Sequence, residues 1–256
     1  MTKTPAWHPR YTITTAIASR LMNIEAVRVA VEHTPLAPAA EEELRRQVRL
    51  RSTHYSTRIE GNRLTLAETA EAIEQQRARF LGRERDAGEV RNYWNALLRV
   101  EEWVAKDVPL TEELIRRLHA LVEQGKRAKP TPYRDGQNVI RDAASGSIVY
   151  LPPEASDVPQ LMAQLVRWIK LSVAEGMPVP LIAGLAHYQF VTIHPYYDGN
   201  GRTARLLAAF LLHSGGYGLH GFYSLEEEHA RDLAAYYIAL STHPHHNYYE
   251  AGPKLI

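Results

Sequence analysis

The residues best suited to chemistry lie in one short polar loop and the start of the helix after it: His194, Asp198, the run Gly199-Asn200-Gly201, and Arg202 with Arg205. Two glycines and an asparagine permit positive φ angles and a close approach of the backbone to a ligand. The first N–H groups of the following helix have no partner within the helix, so this helix end attracts an anion. The two arginines share a helix face and suit phosphate oxygens. The pattern therefore predicts a phosphate-binding loop.

The other two side chains of the loop supply complementary chemistry. Asp198 carries the hard carboxylate that Mg²⁺ prefers beside substrate phosphates. His194 is the nearby side chain that accepts a proton near neutral pH. A Gly-Asn-Gly run alone is usually a turn, and a lone histidine at a helix end is usually structural. Those interpretations explain each feature separately, but they do not explain why all of them occur within twelve residues.

The composition is that of an ordinary globular protein. The 256 residues are 45% hydrophobic and 23% charged, and the net charge of +1 gives no general electrostatic case for nucleic acid or an anionic membrane. Without cysteine, disulfides, thiolate catalysis and cysteine-based zinc sites are excluded. No signal peptide is visible in residues 1–10 and no apolar run reaches the length of a membrane span. We therefore expect a cytoplasmic protein with no membrane partner.

The elements that must position the loop are mostly helices. Apolar residues three or four apart, capping boxes and glycine stops mark their bounds. The predicted helices are Thr15–Glu32, 39–60, one opening at the capping box of Thr65 and Glu68, 90–104, 111–125, 157–175, 180–193, 202–213 and 224–242, with a loop at 82–86. The helix 202–213 is apolar on nearly all sides, which indicates a central, buried helix.

Residues 129–153 break the helical pattern. They contain four prolines and two glycines, and their strand-like run is 148–151, after the turn signal Ser145-Gly146. We interpret this segment as a long surface loop with a short hairpin, a kind of loop that is often functional. The predicted fold class is therefore all-α with one small β-hairpin.

The string from His194 to Arg205 resembles the signature of the Fic domain family, His-x-Phe-x-(Asp/Glu)-Gly-Asn-Gly-Arg-x-x-Arg. One position departs, because Tyr196 stands where Phe is usual. That ring packs inward in the family, so its hydroxyl needs a partner. The segment 133–153 is similar to the family's flap, a hairpin that aligns a target segment by strand pairing. Further similarity covers 12–30, 89–97 and Tyr236-Tyr237.

The resemblance implies a Fic-type helical bundle that transfers AMP from ATP to a Ser, Thr or Tyr hydroxyl of a target protein and releases pyrophosphate. The implied roles are general base for His194, Mg²⁺ ligand for Asp198, phosphate cradle for Gly199, Asn200 and Gly201, and partners of the β- and γ-phosphates for Arg202 and Arg205. Ser147, Ile148, Val149 and Tyr150 of the flap would align the target, and Tyr236 and Tyr237 would line the nucleoside pocket. Related members that transfer phosphate carry Lys at the second glycine, so Gly201 favours AMP transfer.

A second motif lies upstream, where Ser56 and Glu60 share a helix face just before Gly61. A glutamate in a last helical turn opposes the helix dipole, and an exposed glutamate or a pair with Arg63 is the ordinary interpretation. The string also resembles the family's inhibitory motif, (Ser/Thr)-x-x-x-Glu-(Gly/Asn). This resemblance implies that Glu60 pairs with Arg205 and hinders productive ATP binding, as in the subclass with an N-terminal inhibitory helix.

The implied organisation is an N-terminal helical region, 1–88, that carries the inhibitory motif, and a catalytic core, 89–256, with the flap at about 130–153, packed as one unit. The resemblance allows a homodimer. Residues 247–250 resemble the point where many relatives continue, sometimes into a DNA-binding domain, so we expect no nucleic-acid partner for this chain.

Several alternatives stay open. The same site could remove AMP or transfer a phosphoryl group. A protein that only senses ATP, or one that acts through its flap alone, would not need the base His194. A metal-dependent phosphohydrolase built on His187, His194 and Asp198 leaves the paired arginines unexplained. The cluster His243, His245 and His246 is interpreted as a solvated turn.

Overall fold

The computed structural model describes residues 7–75, 80–125, 129–141, 145–241 and 247–249. Within them the chain forms ten α-helices and one two-stranded antiparallel sheet, which confirms the predicted fold class. The helices are α1 (Thr15–Glu32), α2 (Pro38–Ile59), α3 (Leu66–Glu74), α4 (Glu84–Ala105), α5 (Glu112–Gln124), α6 (Val158–Ala174), α7 (Val179–Ile193), α8 (Asn200–Ser214), α9 (Leu225–Arg231) and α10 (Leu233–Leu240). The strands are β1 (Ile140–Arg141) and β2 (Ile148–Tyr150).

Helix α8 is the centre of the bundle. It packs against α7, α4, α5 and α2, and its apolar side chains Ala204, Leu206 and Leu207 are fully buried. The prediction of a central, buried helix is therefore confirmed, although α8 begins at Asn200 and not at Arg202. Because α8 is held from several directions, its first turn is a rigid platform for a site.

Two predicted boundaries were wrong. The stretch 82–86 is not a loop throughout, because α4 already begins at Glu84. The carboxylates of Glu84 and Asp86 lie in the first turn, where the helix dipole favours negative charge. The predicted helix 224–242 is broken at Asp232, whose backbone is non-helical and whose carboxylate accepts a hydrogen bond from the N–H of Ala235.

Helix α2 carries the second motif into the bundle. The residues of its last two turns are mostly buried, whereas those of its first half are mostly exposed, and the helix packs on α4, α3 and α9. It ends at Ile59 with Glu60 as its C-cap, and Gly61 follows with a φ of 90°. The stop at Gly61 and the capping box of Thr65 with Glu68 are as predicted. The end of α2 thus brings Glu60, which is itself partly exposed, to the start of α8.

The hairpin formed by β1 and β2 stands out from the helices. Ile140 pairs with Tyr150, and Ile148 and Val149 of β2 are exposed. Leu151, which was expected in the strand, forms an isolated bridge with Asn247. Among the described residues, no helix is long and apolar enough to cross a membrane.

Candidate active site

Two left-handed residues shape the loop between α7 and α8. His194 is the C-cap of α7 and has φ 52° and ψ 59°, a region that residues other than glycine seldom adopt. Gly199 caps α8 with φ 73°, a conformation that favours glycine. A Cβ atom at Gly199 would also overlap the carboxylate of Glu123, so both backbone angle and space require glycine there.

Asn200 closes the loop from inside. Its side-chain oxygen accepts a hydrogen bond from the N–H of Tyr196 at 3.0 Å, and its amide nitrogen donates to the Tyr196 carbonyl at 2.8 Å. The side chain is buried, and both its oxygen and its nitrogen bind the backbone of Tyr196. Asn200 therefore holds the shape of the loop with its side chain, and the phosphate contact that the resemblance implies for it would fall to its backbone.

Tyr196 packs inward, as the resemblance implies. Its ring stacks on His119 with centroids 3.6 Å apart, and only 1% of the residue is exposed. Its hydroxyl is buried and has no hydrogen-bond partner among the described residues, so the expected partner is missing. His119 in turn contacts the loop, because its Nε2 lies 2.8 Å from the Asp198 carbonyl. This contact holds the loop in place.

His194 stands at the edge of the loop and is poised to accept a proton. Burial lowers the pKa of His194 to about 4, although the Val191 carbonyl and the Glu60 and Asp198 carboxylates act in the opposite direction. The imidazole is therefore neutral at physiological pH. A neutral imidazole beside an anion-binding helix end has the protonation state that a general base needs.

Asp198 presents its carboxylate to solvent. One oxygen accepts a hydrogen bond from the N–H of Gly199 at 2.7 Å, and the other pairs with Arg85 at 3.0 Å. Among the described residues no group of three or more His, Cys, Asp or Glu side chains surrounds a common point. Mg²⁺ commonly binds through one carboxylate together with substrate phosphates and water. An exposed carboxylate beside the first turn of α8 fits that mode.

Arg202 is held by carboxylates of the core. Its guanidinium is buried and lies 2.8 Å from Glu123, 3.4 Å from Asp198 and 3.9 Å from Glu89. Burial raises the pKa of Glu123, and Arg202 opposes that shift. His119 and Glu123 were not predicted from the sequence; their spacing of four residues, which places both on one face of α5, was the available signal.

Arg205 is held by the motif on α2. Its Nε donates to the Ser56 hydroxyl at 2.8 Å, and its Nη2 donates to the Ser56 carbonyl at 2.9 Å and to Glu60 at 2.8 Å. Burial disfavours the charged form, but Glu60 contributes to a raised pKa of Arg205. Glu60 does not pair with Arg63, because Arg63 pairs with Asp86 at 3.0 Å, and although Glu60 is partly exposed, its carboxylate pairs with Arg205. We call Glu60 with Arg205 the inhibitory pair, after the family motif that this segment resembles.

The inhibitory pair lies against the first turn of α8. A Cβ atom at Gly201 would overlap the Glu60 carboxylate and come within 3.2 Å of Arg205. The carboxylate therefore lies at the helix end that the sequence argument assigned to phosphate. A glycine at this position permits the close approach of either anion.

The two tyrosines expected in a nucleoside pocket, Tyr236 and Tyr237, contact Arg205 and the end of α2, respectively. The Tyr236 hydroxyl is 3.2 Å from Arg205 and 3.2 Å from His187, and its ring is buried and stacks on His229. The Tyr237 hydroxyl donates to the Ile59 carbonyl at 3.3 Å. Both residues hold α10 against α8 and the end of α2, and their role toward a nucleoside is a prediction.

The remaining histidine candidates lie apart from this site or outside the described residues. His187 is buried beside Tyr236, and burial lowers the pKa of His187 to about 3. His187 therefore lies on the face of α7 that is turned toward Tyr236 and Arg205, and it shares no site with Asp198. The cluster His243, His245 and His246 falls within 242–246, which lies outside the described residues. In the flap, Tyr150 donates a hydrogen bond to the Thr192 carbonyl at 2.9 Å.

The segment that contains α5, the hairpin, the loop and most of α8 matches the sequence model of a known family. The model of the Fic/DOC family matches residues 109–212. A Fic family protein from Desulfovibrio desulfuricans G20 superposes with a TM-score of 0.73 at 29% identity, covering 92% of this chain and 68% of that one. A Fic domain containing signaling protein from Bacteroides thetaiotaomicron VPI-5482 gives a TM-score of 0.73 at 27% identity, covering 87% and 80%. Residues 109–212 are therefore similar to the Fic/DOC family, and the fold is similar to that of these two Fic proteins.

Curated relatives carry an activity in their name. The protein adenylyltransferase Fic of Drosophila willistoni is 29% identical over 199 residues, which is 77% of this chain and 39% of that protein. The chain therefore spans about two fifths of the length of that relative.

Proposed function

We propose that this protein is an autoinhibited protein adenylyltransferase, which transfers AMP from ATP to a Ser, Thr or Tyr hydroxyl of a target protein. The observation that carries the proposal is the geometry of the loop: His194 ends α7, and α8 begins six residues later with Arg202 and Arg205 in its first two turns. A protein that only binds ATP has no need of a base at this point. The name of the Drosophila willistoni relative supports the same reaction.

We propose the following transfer step. The target hydroxyl gives its proton to His194 while its oxygen bonds to the α-phosphorus of ATP. The bond from that phosphorus to the oxygen bridging to the β-phosphate breaks, and pyrophosphate leaves with the electron pair. N–H groups at the start of α8, with Arg202 and Arg205, are placed to stabilise the negative charge. The flap would hold the target backbone by strand pairing.

Asp198 is the residue that would hold Mg²⁺. The ion would neutralise charge on the phosphates of ATP. The exposure of this carboxylate leaves room for the water and phosphate ligands that Mg²⁺ retains in such sites.

The inhibitory pair supports autoinhibition. The Glu60 carboxylate uses Arg205 and lies beside Gly201, so a phosphate group arriving there meets a like charge and lacks one cation. Glu60 belongs to α2, which precedes residues 109–212 that match the family. We propose that α1 to α3 form a regulatory region and that ATP binds productively when Glu60 moves away.

Radiolabelled ATP tests this function. The wild type, Glu60→Gly, and Glu60→Gly with His194→Ala are incubated with Mg²⁺ and lysate of the source organism, using ATP labelled at the α- or the γ-phosphate. We expect α-label on protein with Glu60→Gly alone. γ-Label would indicate phosphoryl transfer, and loss of α-label from protein already modified would indicate AMP removal. Normal ATP binding with no transfer by any variant would contradict the proposal and favour an ATP sensor.

A further inference from the structure

Four consecutive residues of the loop, 194–197, each form a hydrogen bond with the first residues of the flap. Arg134 Nε donates to the His194 carbonyl at 3.0 Å, the Arg134 N–H to the Pro195 carbonyl at 2.9 Å, the Asn138 amide to the Tyr196 carbonyl at 3.0 Å, and the Tyr197 hydroxyl to Asp135 at 2.7 Å. We call Arg134, Asp135 and Asn138 the flap anchor. The anchor joins the segment that would hold the target to the segment that carries the base.

Arg134 is the centre of the flap anchor. Besides the His194 carbonyl, its guanidinium donates to the carbonyls of Gly136, at 2.9 Å, and Pro153. Gly136 lies at the start of the flap and Pro153 at its end. One planar group thus joins both ends of the flap to the catalytic loop. The three directions of a guanidinium permit this, whereas a lysine ammonium acts as a point charge.

The cost of burying Arg134 indicates that its position matters. The residue is 4% exposed, and it makes no ion pair with any carboxylate in the described parts of the chain. Burial lowers the pKa of Arg134. A buried cation is tolerated when several acceptors hold it, and here the acceptors are backbone carbonyls of the loop and of the flap.

The bond to the His194 carbonyl acts on an unusual backbone conformation. His194 is left-handed, and its backbone direction sets where the imidazole points. A donor fixed on the carbonyl of the same residue holds that peptide in place. An imidazole that is well placed against its target oxygen contributes to the rate, and a small displacement reduces that contribution.

We propose that Arg134 is a positioning residue that holds His194 and both ends of the flap as one unit. The target backbone held by the flap and the base that receives its proton then keep a constant separation. This inference rests on the proposed transfer reaction, because the separation matters only if the flap presents a hydroxyl to His194. ATP binding, which uses the start of α8, does not depend on Arg134.

The test replaces the guanidinium and keeps the charge. Arg134→Lys is made in the Glu60→Gly background and assayed on the protein labelled in the first experiment. Arg91→Lys is the matched control, because Arg91 Nε also donates to a backbone carbonyl, that of Ala72 at 2.8 Å, and Ala72 lies on α3, outside the loop and the flap. We expect Arg134→Lys to lower kcat/KM for the target at least tenfold, with the Kd for ATP changed less than twofold. Arg91→Lys should change neither value more than twofold.

Hydrogen exchange gives a readout that needs no transfer activity. Arg134→Lys should increase amide exchange in 129–153 and in 194–198 together, while α8 keeps its protection. Faster exchange in the flap alone, or an unchanged kcat/KM for the target, would overturn the inference. If transfer itself is absent, the proposed function fails, whereas the coupling of flap and loop is still decided by exchange.

Tyr197→Phe covers the case in which Arg134→Lys does not fold. Tyr197 is exposed and contributes one bond of the anchor, so its loss should not endanger the fold. Tyr197→Phe should also increase amide exchange in 129–153 and 194–198 together and leave the Kd for ATP unchanged. Its fall in kcat/KM for the target should be smaller than that of Arg134→Lys. A fall in ATP affinity of equal size in either variant would indicate a general structural role and contradict positioning.

Discussion

Helix α8 presents two buried arginines three residues apart, and each is 2.8 Å from a glutamate. Arg202 pairs with Glu123 on α5, within residues 109–212 that match the family. Arg205 pairs with Glu60 at the end of α2, which lies before that segment. The two ion pairs have the same chemistry, but they come from different parts of the chain.

The two pairs differ in the partners that each arginine would keep if its glutamate were removed. Arg202 would keep Asp198 at 3.4 Å and Glu89 at 3.9 Å, so carboxylates still surround it. Arg205 would keep the neutral groups of Ser56 and Tyr236. A buried cation with only neutral partners attracts an anion. Under the proposed function, Glu123 of α5 would then hold the shape of the site, whereas Glu60 at the end of α2 would control access to it.

The largest expected effect separates the two sides directly. Glu60→Gly should raise the initial rate of AMP transfer about a hundredfold, which corresponds to about 2.7 kcal/mol of inhibition. Glu123→Gln should give no increase, because Arg202 keeps the carboxylates of Asp198 and Glu89 nearby. The measurement is α-label incorporation into protein per unit time. Equal activation by both variants would remove the distinction.

The second effect concerns stability. Glu123→Gln should lower the free energy of unfolding by about 1–3 kcal/mol, because a hydrogen bond to the buried charge of Arg202 is weakened. Urea unfolding followed by circular dichroism measures this change. Glu113→Gln is a suitable control, since Glu113 on the same helix pairs with Arg117 at an exposed site and such pairs contribute little. Similar losses in both variants would contradict a role for Glu123 in holding the shape of the site.

A third change weakens the inhibitory pair without removing it. Ser56→Ala removes the hydroxyl that accepts from Arg205, and a lost hydrogen bond of about 1 kcal/mol should raise the transfer rate about fivefold. Ser52→Ala is the control, because the Ser52 hydroxyl, one turn earlier, donates to Ser224 and does not contact Arg205. An equal rise in the control would mean that loosening α2 anywhere activates the protein.

The fourth prediction concerns pH. Burial lowers the pKa of His194 to about 4, and the Glu60 carboxylate opposes that shift. In Glu60→Gly the imidazole should therefore be neutral from pH 8 to pH 5 and become protonated only below that range. The transfer rate should be nearly constant from pH 8 to pH 5 and fall as pH decreases further. A pH–rate profile with an inflection near 6.5 would contradict a buried base.

The smallest effect tests the α5 side at Tyr196. Tyr196→Phe removes a buried hydroxyl that lacks a partner, so the free energy of unfolding should rise by about 1 kcal/mol. Tyr93→Phe is the control of opposite sign, because the Tyr93 hydroxyl donates to Glu226 at 3.0 Å. Urea unfolding of both variants measures these two changes in the free energy of unfolding. A loss of stability in Tyr196→Phe would show that the hydroxyl is satisfied.

Local signals in the sequence predicted much of this architecture. The capping box of Thr65, the glycine after α2 and the apolar pattern of α8 each act over a few residues, so the elements followed from them. The boundary at Glu84 was not predicted, because a run of charges is typical of a loop, whereas the carboxylates in this run favour a helix start. The break at Asp232 was missed because a residue that ends one helix also caps the next.

The site was predictable where it is continuous in sequence. His194 to Arg205 could be recognised as one string, and Glu60 through a second motif, but contacts made across the fold had no such signal. Glu123 meets Arg202 from another helix, and Arg134 binds carbonyls, which every residue carries. Backbone acceptors leave no trace in a pattern of side chains, so the role of Arg134 emerged only from the structure.

The closure of the loop by Asn200 has a thermodynamic consequence. Fixing the backbone of a residue costs entropy, about 1–2 kcal/mol at room temperature. Because Asn200 already fixes the Tyr196 backbone, this entropy is lost when the protein folds and not when a nucleotide arrives. Association with a nucleotide then requires little ordering of the loop, which is the advantage of a preorganised site. The affinity for ATP should therefore depend mainly on the exchange of one anion, the Glu60 carboxylate, for another.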